Sequence, residues 1–235
     1  VMTTLKDMAP EIEVYSIDEA FLSLGGMKNL ESYGQSIMER VQRDIGIPVS
    51  VGIGPTKVLA KLANHIAKKN HRTCDLTKYS DYSDHLRTFP VGQVWGVGRK
   101  SLIQLFSHNI RTALELRQAN EKLIKKLMGI QGLKILKELQ GESCIELDAQ
   151  SKGKKHIATT RSFGKPVYKL SELKEAIACH ATVCAEKLRA QDSLSQRIYV
   201  YIRTSSYQGI ESYSQGTSIH LQQGTSYTPR IIKAA

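Results

Sequence analysis

The spacing of apolar residues changes several times along the chain, and those changes divide it into three stretches. "IEVYSI" (12–17) and "AFLSL" (20–24) are short, largely apolar runs, which predicts two strands. "YGQSIMERVQRDI" (33–45) sets Ile37, Val41 and Ile45 on one side of an amphipathic helix. "IPVSVGIG" (47–54) reads as a strand closed by glycine. Gly54-Pro55 then opens a helix over 56–70, with proline where no N–H is needed and with Leu59, Leu62, Ala63 and Ile66 at helical spacing.

Residues 76–146 predict short helices interrupted by "FPVGQVWGVGRK", "HNI" and "GIQG", a small all-helical unit. "AQSKGKK" (149–155) is polar and basic, the composition of a linker. From 156 onward the pattern is mixed again. A strand is expected near 156–163 and a helix over 171–190, with Leu173, Ile177, Ala181, Cys184 and Leu188 in register and Cys179 and Cys184 in the core. A strand over 197–203 alternates Ile198, Val200 and Ile202 with Arg197, Tyr199, Tyr201 and Arg203, and another strand lies near 217–223. The fold class is therefore α+β and multi-domain: 1–75, a helical unit 76–148, the linker 149–155, and a mixed unit 156–235. The chain starts without methionine and "TPRIIKAA" reads as a helix only begun, so it is expected to be a piece of a longer protein.

Charge narrows the partners. A formal charge of +11 and a pI near 9.5 favour a polyanion, nucleic acid before anionic lipid, because no helix joins a basic face to a bulky aromatic one. No run of about 18 apolar residues marks a membrane span, and no secretory signal opens the chain. The four cysteines form no CxxC pair and have no histidine at zinc-finger spacing, which suits a reduced, intracellular protein without structural zinc, and a cytoplasmic, nucleoid-associated location is expected.

The first chemistry lies between the two opening strands. Asp18 and Glu19 are adjacent acids, which along a straight strand point to opposite faces. Only a turn there brings both to one cation, and a hairpin tip would do so. Mg²⁺ suits such a pair, being a hard ion held by one or two carboxylates plus phosphate oxygens. Two such ions, roughly 3.5–4 Å apart, serve phosphoryl transfer by activating the attacking oxygen and steadying the leaving group. On the 56–70 helix, Lys57, Lys61, Asn64 and Lys68 share one face, opposite the apolar stripe. "GIGPTK" is not a P-loop, which requires GxxxxGK[ST]. A third motif, Gly96-x-Gly98 followed by Arg99 and Lys100, allows a tight turn with close approach of backbone N–H groups to a phosphate at a helix start.

"YSIDEAFLSL" resembles the palm motif of Y-family (translesion) DNA polymerases, particularly their UmuC branch. "VSVGIGPTKVLAKLANHIAKKN" (49–70), "VWGVGRKSLIQL" (94–105) and "TTRSFGKPV" (159–167) agree in the same order. The resemblance implies a partial palm over 1–75, a thumb with a helix-hairpin-helix over 76–148 and an α+β little finger over 156–235. It implies that Asp18 and Glu19 ligate two Mg²⁺ ions and that Lys68, in the "AKxN" stretch, contacts the incoming triphosphate. It further implies that Gly96, Gly98, Arg99 and Lys100 contact DNA on the thumb, with Arg161, Ser162 and Lys165 on the little finger. A third carboxylate, found near the start of such polymerases, has no counterpart in this chain. The partners implied are primer-template DNA, a deoxynucleoside triphosphate, a UmuD-type accessory dimer, a recombinase filament and a sliding clamp, with no membrane. A non-catalytic DNA-binding module is the reading from another class, and a different palm-type nucleotidyltransferase or cyclase is disfavoured because neither needs the later two blocks.

Overall fold

The computed structural model describes residues 1–70, 73–148, 153–204 and 213–235. Two compact units result, Val1–Ser151 and Lys152–Ala235, with the boundary inside the expected linker, whose residues 149–152 lie outside the described ones.

The first unit opens with a short helix α1 (Met2–Lys6) and an antiparallel hairpin, β1 (Ile12–Val14) and β2 (Ala20–Leu22). Both strands are shorter than the apolar runs suggested, because Tyr15–Glu19 turn the chain between them. Helix α2 (Leu30–Ile45) follows and buries Ile37 and Val41, while Ile45 stays exposed. β3 (Val51–Ile53) then pairs in parallel with β4 (Thr73–Asp75), a strand the apolar pattern did not announce.

Between β3 and β4 runs α3 (Lys57–Asn70), which buries Val58, Leu59, Leu62 and Ala63. Thr56 starts it: its hydroxyl accepts from the Leu59 N–H at 3.3 Å and donates to the Glu138 carbonyl at 2.9 Å. A Cβ on Gly52 would stand 1.9 Å from the Asn64 nitrogen, so only glycine lets β3 lie this close to α3.

The helical stretch is as expected: α4 (Ser83–Arg87), α5 (Arg99–Ser107), α6 (Ala113–Gln118) and α7 (Glu121–Leu139). Thr112 and Glu115 cap α6 reciprocally, and α7 kinks at Gly129 (φ 69°, ψ −159°). Its core is continuous with that of α3: Leu59, Leu62, Leu86, Leu105, Leu116 and Leu136 belong to one buried cluster.

In the second unit α8 (Leu170–Ala190) packs on α9 (Thr228–Ala234), and β5 (Ser195–Arg203) pairs antiparallel with β6 (Ser214–Thr225). Ala181, Ala185, Leu188 and Ile231 form its core, with Ile157 and Ile198 against it. Two expectations fail here. The segment 156–163 is not a strand: it runs along α8, with Ile157 on the core and Cys184 and Lys187 reaching Thr159, and no strand among the described residues offers it a ladder. Cys179 is exposed rather than buried, because the apolar stripe of α8 runs through 177, 181, 184 and 188 and passes it by.

Candidate active site

The turn between β1 and β2 is fixed by its own backbone. The N–H groups of Tyr15 and Ser16 both donate to the Glu19 carbonyl at 3.0 Å. The Ser16 hydroxyl donates to Asp18 Oδ1 at 2.5 Å, and the Asp18 N–H donates to Ser16 Oγ at 3.3 Å. The Ser16 bond, followed by the backbone N–H and by Lys68 and Lys61, holds the exposed Asp18 carboxyl below the usual carboxylate range. Asp18 is therefore anionic at neutral pH.

Both acids line one cleft of about 1350 Å³, whose lining also takes in residues of β2, α2, β3 and α3. The four polar residues on one face of α3 have different duties. Lys57 is buried and donates to Glu13, with a second bond to the Glu146 carbonyl at 2.7 Å, so it is spent on the fold. Lys61 Nζ reaches Glu19 Oε1 at 2.7 Å. The Asn64 side-chain oxygen accepts from Ser50 Oγ at 2.7 Å. Lys68 is exposed and lines the cleft with Asp18. The cationic face expected from the sequence is thus divided between one structural lysine and two that face the acids.

A hard divalent cation fits this donor set in part. Asp18 Oδ2 and Glu19 Oε2 accept no hydrogen bond among the described residues, so each carboxylate keeps a free oxygen. Among the described residues no group of three or more His, Cys, Asp or Glu side chains converges. Two carboxylates with free oxygens and no third acidic partner among the described residues are an open oxygen donor set rather than a closed protein cage.

The glycine turn lies elsewhere in the same unit. A single 3₁₀ turn (Val91–Gln93) precedes it, so only its second arm, α5, is a full helix. Gly96 adopts φ +92°, and a Cβ there would stand 2.7 Å from Ile135 Cδ1. Gly98 caps α5 with extended backbone, no side-chain cap and open space around its Cα, and Arg99 and Lys100 are exposed beside it. Arg161, Ser162 and Lys165 of the second unit are exposed on an irregular segment.

The sequence reading missed three supporting residues. Ser16 stands two residues before an acid at a turn, a pattern that does signal a local side-chain hydrogen bond. Glu13 ties Lys57 to the Asp148 N–H at 2.7 Å. Glu138 is wholly buried and accepts from the N–H groups of Cys144, Ile145 and Val58 at 2.7, 2.9 and 3.2 Å. Nothing in the local pattern separates these two from ordinary solvated glutamates.

Residues 1–65 match the model of the impB/mucB/samB family and residues 154–235 that of its C-terminal domain, more than half of the chain between them. The chain belongs to the impB/mucB/samB family. Protein UmuC of Salmonella typhimurium is 37% identical over 100% of this chain and 58% of that relative. Protein MucB of Escherichia coli is 34% identical over 98% of the chain and 57% of its own length. This impB/mucB/samB chain thus spans a little over half the length of these relatives. Among solved structures, a Y-family DNA polymerase chimera of Dbh and Dpo4 superposes with a TM-score of 0.68 at 22% identity, covering 99% of this chain and 65% of that one. The insertion ternary complex of Dbh DNA polymerase gives 0.55 at 21%, covering 99% and 65%. The fold is that of Y-family DNA polymerases, and among the described residues no helix is long and apolar enough to cross a membrane.

Proposed function

We propose that this chain carries part of the palm (1–75), the thumb (76–148), a linker (149–155) and the little finger (156–235) of an error-prone translesion DNA polymerase. The parent protein adds deoxynucleotides to a primer 3′-hydroxyl. One observation carries this reading: Asp18 and Glu19 stand at a single hairpin tip, in the same cleft as Lys61 and Lys68 of α3.

Asp18 and Glu19 would hold two Mg²⁺ ions, which supply activation of the attacking oxygen and neutralisation of charge on the phosphates. Lys68, with Lys61 behind it, offers cationic charge to the triphosphate beside those carboxylates. The α5 N-terminus at Gly98, with Arg99 and Lys100, offers N–H groups and whole charges to a duplex backbone without reading sequence. Arg161, Ser162 and Lys165 extend that contact on the little finger. A UmuD-type dimer, a recombinase filament and a sliding clamp in the bacterial cytoplasm belong to the same reading.

The test is primer extension by the full-length parent carrying Asp18→Ala and Glu19→Ala. Extension should be lost, while duplex affinity measured without Mg²⁺ changes by less than about twofold, since neither residue touches the glycine turn. Retained extension would refute the assignment.

A non-catalytic duplex-binding module is the second reading. It is favoured by the Lys61–Glu19 ion pair, which balances one acid without any cation. On that reading the parent binds duplex but extends no primer.

A further inference from the structure

The glycine turn and the acidic turn are joined by three aromatic rings. Trp95, which directly precedes Gly96, lies 5.6 Å from Tyr15 and 5.5 Å from Phe21, and those two lie 5.7 Å apart. The Tyr15–Trp95 and Tyr15–Phe21 contacts are edge-on, and Trp95 Nε1–H donates to the Tyr15 hydroxyl at 3.1 Å. On the other side, Lys61 Nζ stands 5.5 Å from the centre of the Tyr15 ring while bonding Glu19.

This bridge sits where placement matters. The β1–β2 ladder has three residue pairs, too short a hairpin to hold its tip rigidly by itself. A cation-binding carboxylate must be placed to within about 0.5 Å by its supporting contacts. Tyr15 precedes Ser16, the residue that orients Asp18. Tyr15 is half-exposed, so hydrophobic burial alone does not account for its contact with Trp95; the hydrogen bond and the ring edges specify it.

We propose that Trp95 and Tyr15 couple duplex seating at the 96–100 turn to the placement of the Asp18 and Glu19 carboxylates, with Trp95 a positioning residue. The proposal rests on the polymerase reading for what the two turns bind. Movement of the glycine turn onto a phosphate passes through Trp95 to Tyr15, and from there to Ser16 and Lys61, each bonded to one of the acids.

Trp95 is the only tryptophan of the chain, so its fluorescence reports both events without any turnover. Mg²⁺ is titrated into the 235-residue chain with and without a short duplex, and duplex is titrated with and without Mg²⁺. Coupling makes the duplex lower the Mg²⁺ midpoint by about fivefold or more, and Mg²⁺ tighten duplex binding by the same factor. Tyr15→Phe keeps the ring and removes the acceptor for Trp95; it should cut both shifts to about twofold or less, as should Tyr15→Ala. Wild-type shifts in both variants would overturn the coupling.

Two controls separate that failure from failure of the underlying reading. Wild-type Mg²⁺ titration in Asp18→Asn/Glu19→Gln would refute the cation site, and wild-type duplex binding in Arg99→Ala/Lys100→Ala would refute the duplex site. Either result overturns the proposal for a reason the Tyr15 variants do not share.

Discussion

Lys61 Nζ donates to Glu19 Oε1 at 2.7 Å, which places a protein cation on one of the two carboxylates proposed to bind metal. Both side chains are partly exposed, 21% and 29%, so the pair contributes about 1 kcal/mol or less to stability. Its consequence for binding is larger, because an ammonium and a divalent cation compete for the same carboxylate. Lys61→Met should leave the melting temperature within a few degrees of wild type. It should raise the affinity for Mg²⁺ in the absence of nucleotide several-fold, measured by calorimetric titration. Weaker Mg²⁺ binding would mean that Lys61 supports the site rather than occupying it.

Asp18 gives a pH prediction whose sign is fixed by the Ser16 bond. Its folded-state pKa is depressed, first by the Ser16 hydroxyl and then by its backbone N–H, Lys68 and Lys61. A depressed carboxyl contributes stability that is present above its ordinary titration near 3.9 and is lost as pH falls through the lower folded value. Ser16→Ala removes the leading cause, so the Asp18 titration should move up toward the ordinary carboxylate range in an NMR titration of its side-chain carbon. Mg²⁺ binding should then fail at a higher pH on its acid limb. An unmoved titration would show that the lysines, not the serine, set the charge.

Much of this architecture was legible from period alone. The 3.6-residue stripes of α2, α3 and α8 are strong signals because each helix turns one apolar face to a core; the two-residue alternation of β5 holds at Ile198 and Val200, which are half-buried, while Ile202 is exposed. The turn at Asp18 and Glu19 was legible for a related reason: two adjacent acids cannot both be served by one face of a strand. What stayed hidden was decided by distant partners. Residues 156–163 look like a strand, but a strand exists only with a neighbour, and α8 lies there instead. β4 is three residues long and is defined by its pairing with β3. Lys57 looked equivalent to Lys61 on the helix face, yet Glu13 and the Glu146 carbonyl, 44 and 89 residues away, make it structural.

Glu138 is the clearest case of a polar residue retained for the fold. It is fully buried on α7, and its two oxygens take the N–H groups of Cys144 and Ile145 on one side and of Val58, near the start of α3, on the other. Val58 N–H is among the helix-start donors that have no partner within their own helix. Glu138→Gln turns an amide NH₂ toward these donors and should lower unfolding free energy by about 1–3 kcal/mol. Glu138→Ala leaves all three unpaired in a dry interior and should cost about 3 kcal/mol or more in urea denaturation. A near-neutral Glu138→Gln would mean that water replaces the lost bonds.

The two glycines of the 96–98 turn should separate folding from binding. Gly96 has φ +92° and would drive a Cβ into Ile135, so Gly96→Ala should cost about 1–3 kcal/mol of stability. Gly98 has ordinary extended backbone and empty space around its Cα, so Gly98→Ala should leave stability within about 0.5 kcal/mol. If a duplex phosphate approaches the N-terminus of α5, that empty space is where it sits, and the added methyl should weaken duplex binding several-fold. Removing Arg99 and Lys100 together should then lower the slope of log affinity against log salt by about 2, equally for unrelated sequences. An unchanged slope with normal folding would place the duplex on some other face of the helical unit, because exposed charges that release no counterions are not touching phosphate.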